Sequence, residues 1–175
     1  MLRCFFEGDV FEQVDQAVDF VLSKINVSVG TREESTQVPV TYELPRAAVR
    51  EVIVNAVAHR NYLSNASVQV MLFADRLEVS NPGKLPPELT PEKLKIPHDS
   101  YPANPQLARC LYLTGYVEQM GTGTLDIIRL SEQAHLHEPD FRINEGFRAI
   151  IWRPTAHTGQ VPTKYRPSID RVSTG

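Results

Sequence analysis

The sequence of 175 residues has little of what marks several large classes of protein. It has only two cysteines and one tryptophan, and no apolar stretch reaches the length of about 18 residues that a membrane span needs. The first residues lack the basic-then-apolar pattern of a signal peptide. Lysine and arginine form no run, and the net charge is −3. These absences argue against a membrane protein, a secreted disulfide scaffold and a domain that grips DNA by itself.

The composition is sufficient for one core that folds without disulfides or metal, because 42% of the residues are hydrophobic. Cys4 and Cys110 lie in apolar surroundings, which predicts reduced, buried thiols in a cytoplasmic protein. From Pro154 onward, Pro, Thr, Gly and Ser dominate, which is typical of a linker or a disordered tail. We therefore expect one domain over residues 1–153, followed at 154–175 by a tail that leads toward a missing C-terminal region.

Hydrophobic periodicity and turn residues predict the order of the elements. A long helix capped by Asp9 should pack on a sheet and end around Gly30, and a second helix should have Pro45 in its first turn. The predicted elements are strand 2–6, helix 10–30, strand 37–42, helix 45–59, strands 68–73 and 76–81 in a hairpin through Ala74-Asp75, helices 103–114 and 124–134, and a final hairpin around Glu145-Gly146. This order predicts an α/β (α+β) fold, a two-layer sandwich with a mixed, mostly antiparallel sheet.

The second helix carries a line of polar residues. Glu51, Asn55 and His59 are spaced by four, so they stack along one helix face. Polar groups in a line cost free energy when they are buried without partners, so this pattern suggests the wall of a cavity. The alternative is a solvated helix face in which Glu51 and Asn55 interact only with each other, and a partly buried structural role for His59.

These residue types suit a magnesium site. The carboxamide oxygen of Asn55 is a hard, neutral ligand for Mg²⁺, which shares its remaining positions with water and nucleotide phosphates. Glu51, one turn earlier, could hold or deprotonate a water molecule as a general base. His59 could bond a phosphate or orient Glu51.

Two glycine turns follow in the sequence. Asn81 and Gly83 end the strand 76–81, where the glycine permits close approach of a flat ligand and Asn81 can bond an adenine edge. Gly121, Thr122, Gly123 and Thr124 precede an apolar helix, whose free N-terminal amides attract phosphate. A type II turn explains the first pattern equally well, and a helix cap by Thr122 or Thr124 explains the second. His135 and His137, just past a helix end near Glu138, are more typical of surface residues than of a metal site.

Taken together, three stretches resemble a known family: ELPRAAVREVIVNAVAHRNY, ADRLEVSNPGKLPPELTPEKL and ANPQLARCLYLTGYVEQMGTGTLDIIRL. The chain is similar, over roughly residues 1–153, to the ATPase-type domain at the C-terminal side of bacterial proteins related to RecG helicase or to transcriptional regulators. That domain belongs to the GHKL class, which has the Bergerat fold. The resemblance implies binding of ATP and Mg²⁺.

The resemblance also implies a role for each motif. Asn55 matches the Mg²⁺ ligand and Glu51 the general base of the members that hydrolyse ATP. Asn81 and Gly83 match the first glycine box, and Gly121 with Gly123 match the second, which faces phosphate. Asn81 stands where the wider class has Asp. The segment 84–119, which corresponds to the ATP lid of that class, is short and predicted to be mostly helical.

Three functions follow as hypotheses. The first is an ATP- and Mg²⁺-binding regulatory module of a DNA-binding transcriptional regulator. The second is an active ATPase that uses Glu51, and the third is a degenerate domain that binds no nucleotide and serves protein contacts. DNA would be bound only by domains absent from this chain, and a homodimer is possible. No unwinding activity is expected, because the chain has no G-x-x-x-x-G-K-[ST] loop and no second motor domain.

Overall fold

The computed structural model describes residues 6–29, 40–117 and 121–154. The elements are helices α1 (Val10–Leu22), α2 (Arg46–Ala58), α3 (Pro105–Leu113) and α4 (Gly123–Gln133), strands β1 (Val27–Val29), β2 (Val40–Tyr42), β3 (Gln69–Leu72), β4 (Arg76–Asn81), β5 (Asp140–Ile143) and β6 (Phe147–Trp152), and a 3₁₀ turn at Lys93–Lys95. Residues 2–5 of the predicted strand 2–6, residues 37–39 of the predicted strand 37–42 and residues 155–175 of the predicted tail lie outside the described residues.

The fold has two layers, as predicted. Strands β3, β4, β6 and β5 form a four-stranded sheet in that order, and β1 pairs with β2 in a second, small sheet. Each pair among the described strands is antiparallel. The hairpin through Ala74-Asp75 and the final hairpin between β5 and β6 are both confirmed.

The first helix begins as predicted and ends earlier. The Asp9 carboxylate accepts hydrogen bonds from the amides of Phe11 and Glu12, and the Glu12 side chain accepts one from the amide of Asp9. The helix ends at Leu22 rather than near Gly30, because the chain turns at Ser23 and the β-branched pair Val27 and Val29 pairs with β2. Strand β1 is not among the predicted elements.

The second helix is the centre of the molecule. It contacts α1, α3, α4 and β4, so α1 packs on α2 more than on the sheet. Apolar side chains are buried around most of its circumference: Ala48, Val49, Val52, Ile53, Val54, Ala56 and Ala58. Pro45 immediately precedes the helix rather than lying in its first turn. The three predicted site residues are partly buried on one side of the helix, whereas Arg46 and Ala47 are exposed on another.

The third helix places its cysteine outside the core. Ala108 and Leu111 form its buried face, and Cys110 is a free, exposed thiol. The prediction of a buried Cys110 is therefore wrong, because its apolar neighbours in sequence point to other sides of a short surface helix. Cys4 lies outside the described residues. Within the described residues, no helix is long and apolar enough to cross a bilayer.

A nearly buried ion pair connects distant parts of the chain. Arg153, just past β6, places its Nε 2.5 Å from an oxygen of Glu43, and the two side chains are only 14% and 8% exposed. The other Glu43 oxygen accepts a hydrogen bond from Asn26, and Arg153 also donates to the carbonyl of Phe73 at 2.7 Å. The pair therefore ties the small sheet to the ends of strands β3 and β6.

Glu43→Ala should lower the free energy of unfolding by about 3 kcal/mol, because removal of one partner leaves the other charge poorly solvated and unpaired. Chemical denaturation measures the change. The control is Asp19→Ala, which removes an exposed pair with Arg46 and should cost less than about 1 kcal/mol. Equal effects of the two substitutions would contradict a structural role for the Glu43 pair.

Candidate functional site

A cavity of about 110 Å³ lies between α2, the sheet and the segment after β4. Its lining includes nearly all the residues that the sequence predicts for the site: Glu51, Asn55, His59, Asn81, Gly83, Gly121, Gly123 and Thr124. Thr122 is the one predicted residue outside the lining. The fold therefore brings three motifs that are distant in sequence to one place, whereas their chemical roles remain predictions.

The first wall of the cavity is the polar face of α2. Asn55 donates a hydrogen bond from Nδ2 to Oε1 of Glu51 at 3.1 Å, which is the contact expected of a four-residue offset. Gly123, the first residue of α4, lies directly against this pair. A Cβ atom at Gly123 would be 2.3 Å from Asn55 Nδ2 and 2.4 Å from Glu51 Oε1. A side chain at this position would displace the ends of Glu51 and Asn55 from where they lie.

The turn after β4 forms the second wall. A Cβ atom at Gly83 would lie 2.2 Å from the backbone oxygen of His59, so the turn contacts the end of α2 in a way that only glycine permits. The Gly83 carbonyl accepts a hydrogen bond from the amide of Phe147 at 3.1 Å, which fixes the turn to β6. The predicted close approach at this glycine is therefore made by the protein's own backbone.

Asn81 is the buried polar residue of this wall. It is 4% exposed, and its Oδ1 accepts a hydrogen bond from the amide of Gly83 at 2.6 Å. Its Nδ2 is buried and has no hydrogen-bond partner among the described residues. A buried amide without a partner costs free energy, so this atom is a candidate contact for a ligand.

The glycine turn before α4 forms the third wall. Gly121 has a φ of 93°, a conformation that glycine adopts at little cost, and a Cβ atom there would be 3.1 Å from that of Ser100. Thr122 occupies the N-cap position without a capping bond to the backbone, so the alternative of a plain threonine cap is not observed for this residue. Its hydroxyl bonds Asp126 instead. As at the start of any α-helix, the first amides of α4 have no hydrogen-bond partner within the helix itself.

Residues that the sequence analysis missed complete the site. His98 lies 3.3 Å from the hydroxyl of Thr124, Ser100 packs on Gly121, and the exposed Lys84 lines the cavity. All three belong to the irregular segment between β4 and α3. No helical or strand periodicity marks such a segment, so only the tertiary contact shows which of its polar residues reach the site.

Asn104 has a structural role that the sequence does not reveal. Its Nδ2 donates hydrogen bonds of 2.8 Å to the carbonyl oxygens of both Ala58 and Arg60. These carbonyls lie at the end of α2, where the helix leaves them without partners of its own. Asn104 therefore holds the start of α3 against the end of the helix that carries the site.

His59 is held in its neutral form. Burial lowers the pKa of its imidazole, and the nearby His98 lowers it further. A neutral imidazole can accept or donate one hydrogen bond, and it does not contribute a fixed positive charge to the cavity at neutral pH. His135 and His137 lie away from this cavity, and within the described residues no group of three His, Cys, Asp or Glu side chains could hold a metal ion.

Acidic pH should destabilise the protein through His59. The unfolded histidine takes up a proton near its ordinary pKa of 6.5, whereas the folded one takes it up only at lower pH. The free energy of unfolding should therefore decrease as the pH falls below about 6.5, and His59→Gln should flatten this dependence. Denaturation at several pH values measures it, with the exposed His137→Gln as control. An unchanged pH dependence in His59→Gln would reject the assignment.

Comparisons with known proteins agree with this geometry. A family model of the HATPase type, described as "Putative ATP-dependent DNA helicase recG C-terminal", matches residues 65–151. The match includes Asn81, Gly83 and the turn at 121–124, and it begins after the polar face of α2. No curated protein shows a significant match.

The fold has a counterpart among solved structures. The crystal structure of the DIP2311 protein from Corynebacterium diphtheriae is similar to this chain, with a TM-score of 0.65 and 27% sequence identity. The similarity covers 84% of this chain and 30% of the other, so this chain spans less than a third of that protein. The match of the family model shows that residues 65–151 of this chain belong to the HATPase-type family described as the RecG C-terminal domain.

Proposed function

We propose that this domain binds ATP together with Mg²⁺ and acts as a regulatory module of a DNA-binding bacterial transcriptional regulator. The observation that carries the proposal is the contact of Gly123 with the Glu51–Asn55 pair, in a cavity that Asn81 also lines. A nucleotide site needs a helix N-terminus for phosphate, polar side chains such as Asn55 and Glu51, and a buried group such as Asn81 that can bond the base. The HATPase type of the family supports nucleotide binding.

The phosphates are assigned to the glycine turn before α4. Gly123 at the start of this helix lies against Asn55, and a helix N-terminus carries a partial positive charge that attracts anions. The exposed Lys84 supplies a full positive charge at the cavity edge. The carboxylate of Asp126 in the first turn of α4 is paired with Arg129 at 2.8 Å, which reduces its repulsion of a phosphate.

The residues present fit a magnesium ion that is shared with phosphate. Asn55 uses its Nδ2 to bond Glu51, and this orientation leaves Oδ1 as the atom that would hold the ion. When bound, Mg²⁺ would neutralise phosphate charge and orient the phosphates. Asn55 and the neighbouring Glu51 would be enough protein groups for this ion, because Mg²⁺ keeps several waters and takes phosphate oxygens as further ligands.

The size of the cavity favours a regulatory role. A volume of about 110 Å³ is smaller than the roughly 300 Å³ or more of typical ligand sites, because apolar side chains of the segment after β4, such as Leu85 and Leu94, contribute to the lining. A nucleotide therefore requires outward movement of this segment. A ligand that binds one of two conformations better than the other shifts their populations, and this is the means by which ATP would act on attached DNA-binding domains.

Calorimetric titration of ATP, with and without Mg²⁺, is the decisive experiment. Wild-type protein should bind ATP with a Kd in the micromolar range or below, and binding should be stronger with Mg²⁺. Asn55→Ala should remove the Mg²⁺ dependence. Gly123→Ala should weaken binding at least about tenfold, since its methyl group would displace the Glu51–Asn55 pair from the phosphate side.

The matched control is Asn65→Ala, a substitution of an exposed asparagine that does not line the cavity. It should bind ATP like the wild type. Absence of heat with wild-type protein, both with and without Mg²⁺, would reject the nucleotide module and favour the degenerate domain for protein contacts.

Hydrolysis of ATP is the second candidate function, supported by the position of Glu51. Its Oε1 is held by Asn55, one turn away from the proposed ion, where a carboxylate can accept a proton from an attacking water. Glu51→Gln keeps an oxygen for the bond to Asn55 and removes the base. If the domain is an ATPase, this variant should lose at least about 100-fold in phosphate release while it retains ATP binding. Equal turnover in the variant and the wild type would exclude Glu51 as the base.

A further inference from the structure

The amide group of Asn81 has a fixed orientation. Two oxygens or two N–H groups cannot bond each other, so the amide of Gly83 identifies the atom 2.6 Å away as Oδ1. Exchange of the two ends of the side chain would bring two donors together. The buried Nδ2 must therefore point away from Gly83.

The strand geometry directs this side chain into the layer of helices. Successive residues of β4 alternate between the two faces of the sheet, so Asn81 lies on the same face as Leu77 and Val79. Both of these are core residues, and Val79 lines the cavity beside Asn81. The residue that pairs with Asn81 across the sheet, Phe147, lines the same cavity. The free N–H group is thus on the cavity side of the sheet.

The two ends of this amide differ in what they need. Oδ1 already has a donor, whereas Nδ2 has no acceptor among the described residues. A buried donor without an acceptor loses more free energy than a carbonyl that has one of two bonds. A ligand restores the most free energy when it offers an acceptor to Nδ2.

We propose that Asn81 contacts the nucleotide base as a hydrogen-bond donor, so that the site selects bases with an acceptor on the facing edge and takes 6-oxopurines as well as adenine. This inference rests on the proposed nucleotide site. N7 is such an acceptor in adenine, hypoxanthine and guanine, and O6 is a second acceptor on the same edge of the last two. The role is the reverse of that expected from an aspartate at this position, which can only accept when ionised.

Asn81→Asp distinguishes the two roles, because a carboxylate keeps the shape and the bond to Gly83 and removes the donor. The donor role predicts that this variant binds ATP at least about tenfold more weakly than the wild type, since an oxygen then faces an acceptor. The acceptor role predicts tighter binding. Asn65→Asp is the matched control for the added negative charge and should leave the Kd unchanged.

The base itself supplies a second test on the wild-type protein. Inosine triphosphate replaces the 6-amino group, a donor, with a carbonyl acceptor and keeps the N7 acceptor beside it, whereas N1 on the other edge changes from an acceptor to a donor. The donor role predicts that it binds at least as tightly as ATP. A loss of tenfold or more on this change would overturn the inference.

A third measurement does not depend on a variant that folds. The side-chain NH₂ resonance of Asn81 in ¹⁵N-labelled wild-type protein should shift, and its protons should exchange more slowly, when ATP is added. An NH₂ signal that stays in place while the amide of Gly123 shifts would overturn the inference and leave the nucleotide site intact. Failure of the wild type to bind either nucleotide would reject the proposed function itself.

Discussion

The packing of α2 against most of the other elements is the constraint on which the rest of the structure depends. Helices α1, α3 and α4 and the strand β4 all contact it, so the faces that meet them are apolar, and the exposed Arg46 and Ala47 mark its outer side. Glu51, Asn55 and His59 form a separate, partly buried strip. Because the packed faces exclude polar groups, these three side chains line the same cavity.

The sequence contains much of this arrangement in local form. The four-residue spacing on α2 gives the Glu51–Asn55 hydrogen bond directly, because a helix brings such residues together whatever surrounds it. The capping box at Asp9 and the two-residue turn at Ala74-Asp75 are similarly local signals. The antiparallel two-layer sandwich follows once hairpins and amphipathic helices are placed in order.

The remainder depends on contacts between distant residues. Helix α1 ends at Leu22 rather than near Gly30 because the following residues form β1 and pair with β2. Helical periodicity within the segment gives no information about that pairing. The exposure of Cys110 depends on which face of α3 meets the core. The purposes of Gly83 and Gly123 are clear only when the neighbouring backbone and side chains are seen to fill the space of a Cβ atom. His98 and Ser100 come from a segment without periodicity, so no pattern could assign them to the site.

The position of Asn104 has a mechanical consequence. One end of the segment 84–103 is fixed where Gly83 meets the carbonyl of His59, and the other is fixed where Asn104 bonds the carbonyls of Ala58 and Arg60. Both ends are thus attached to the last turn of the same helix. Such a loop resembles a flap with two adjacent hinges, and it can swing without changing the distance between its anchors. Opening of the loop would therefore add little loop-closure entropy, and it would break the packing of Leu94 in the core and the ion pair of Lys95 with Glu138.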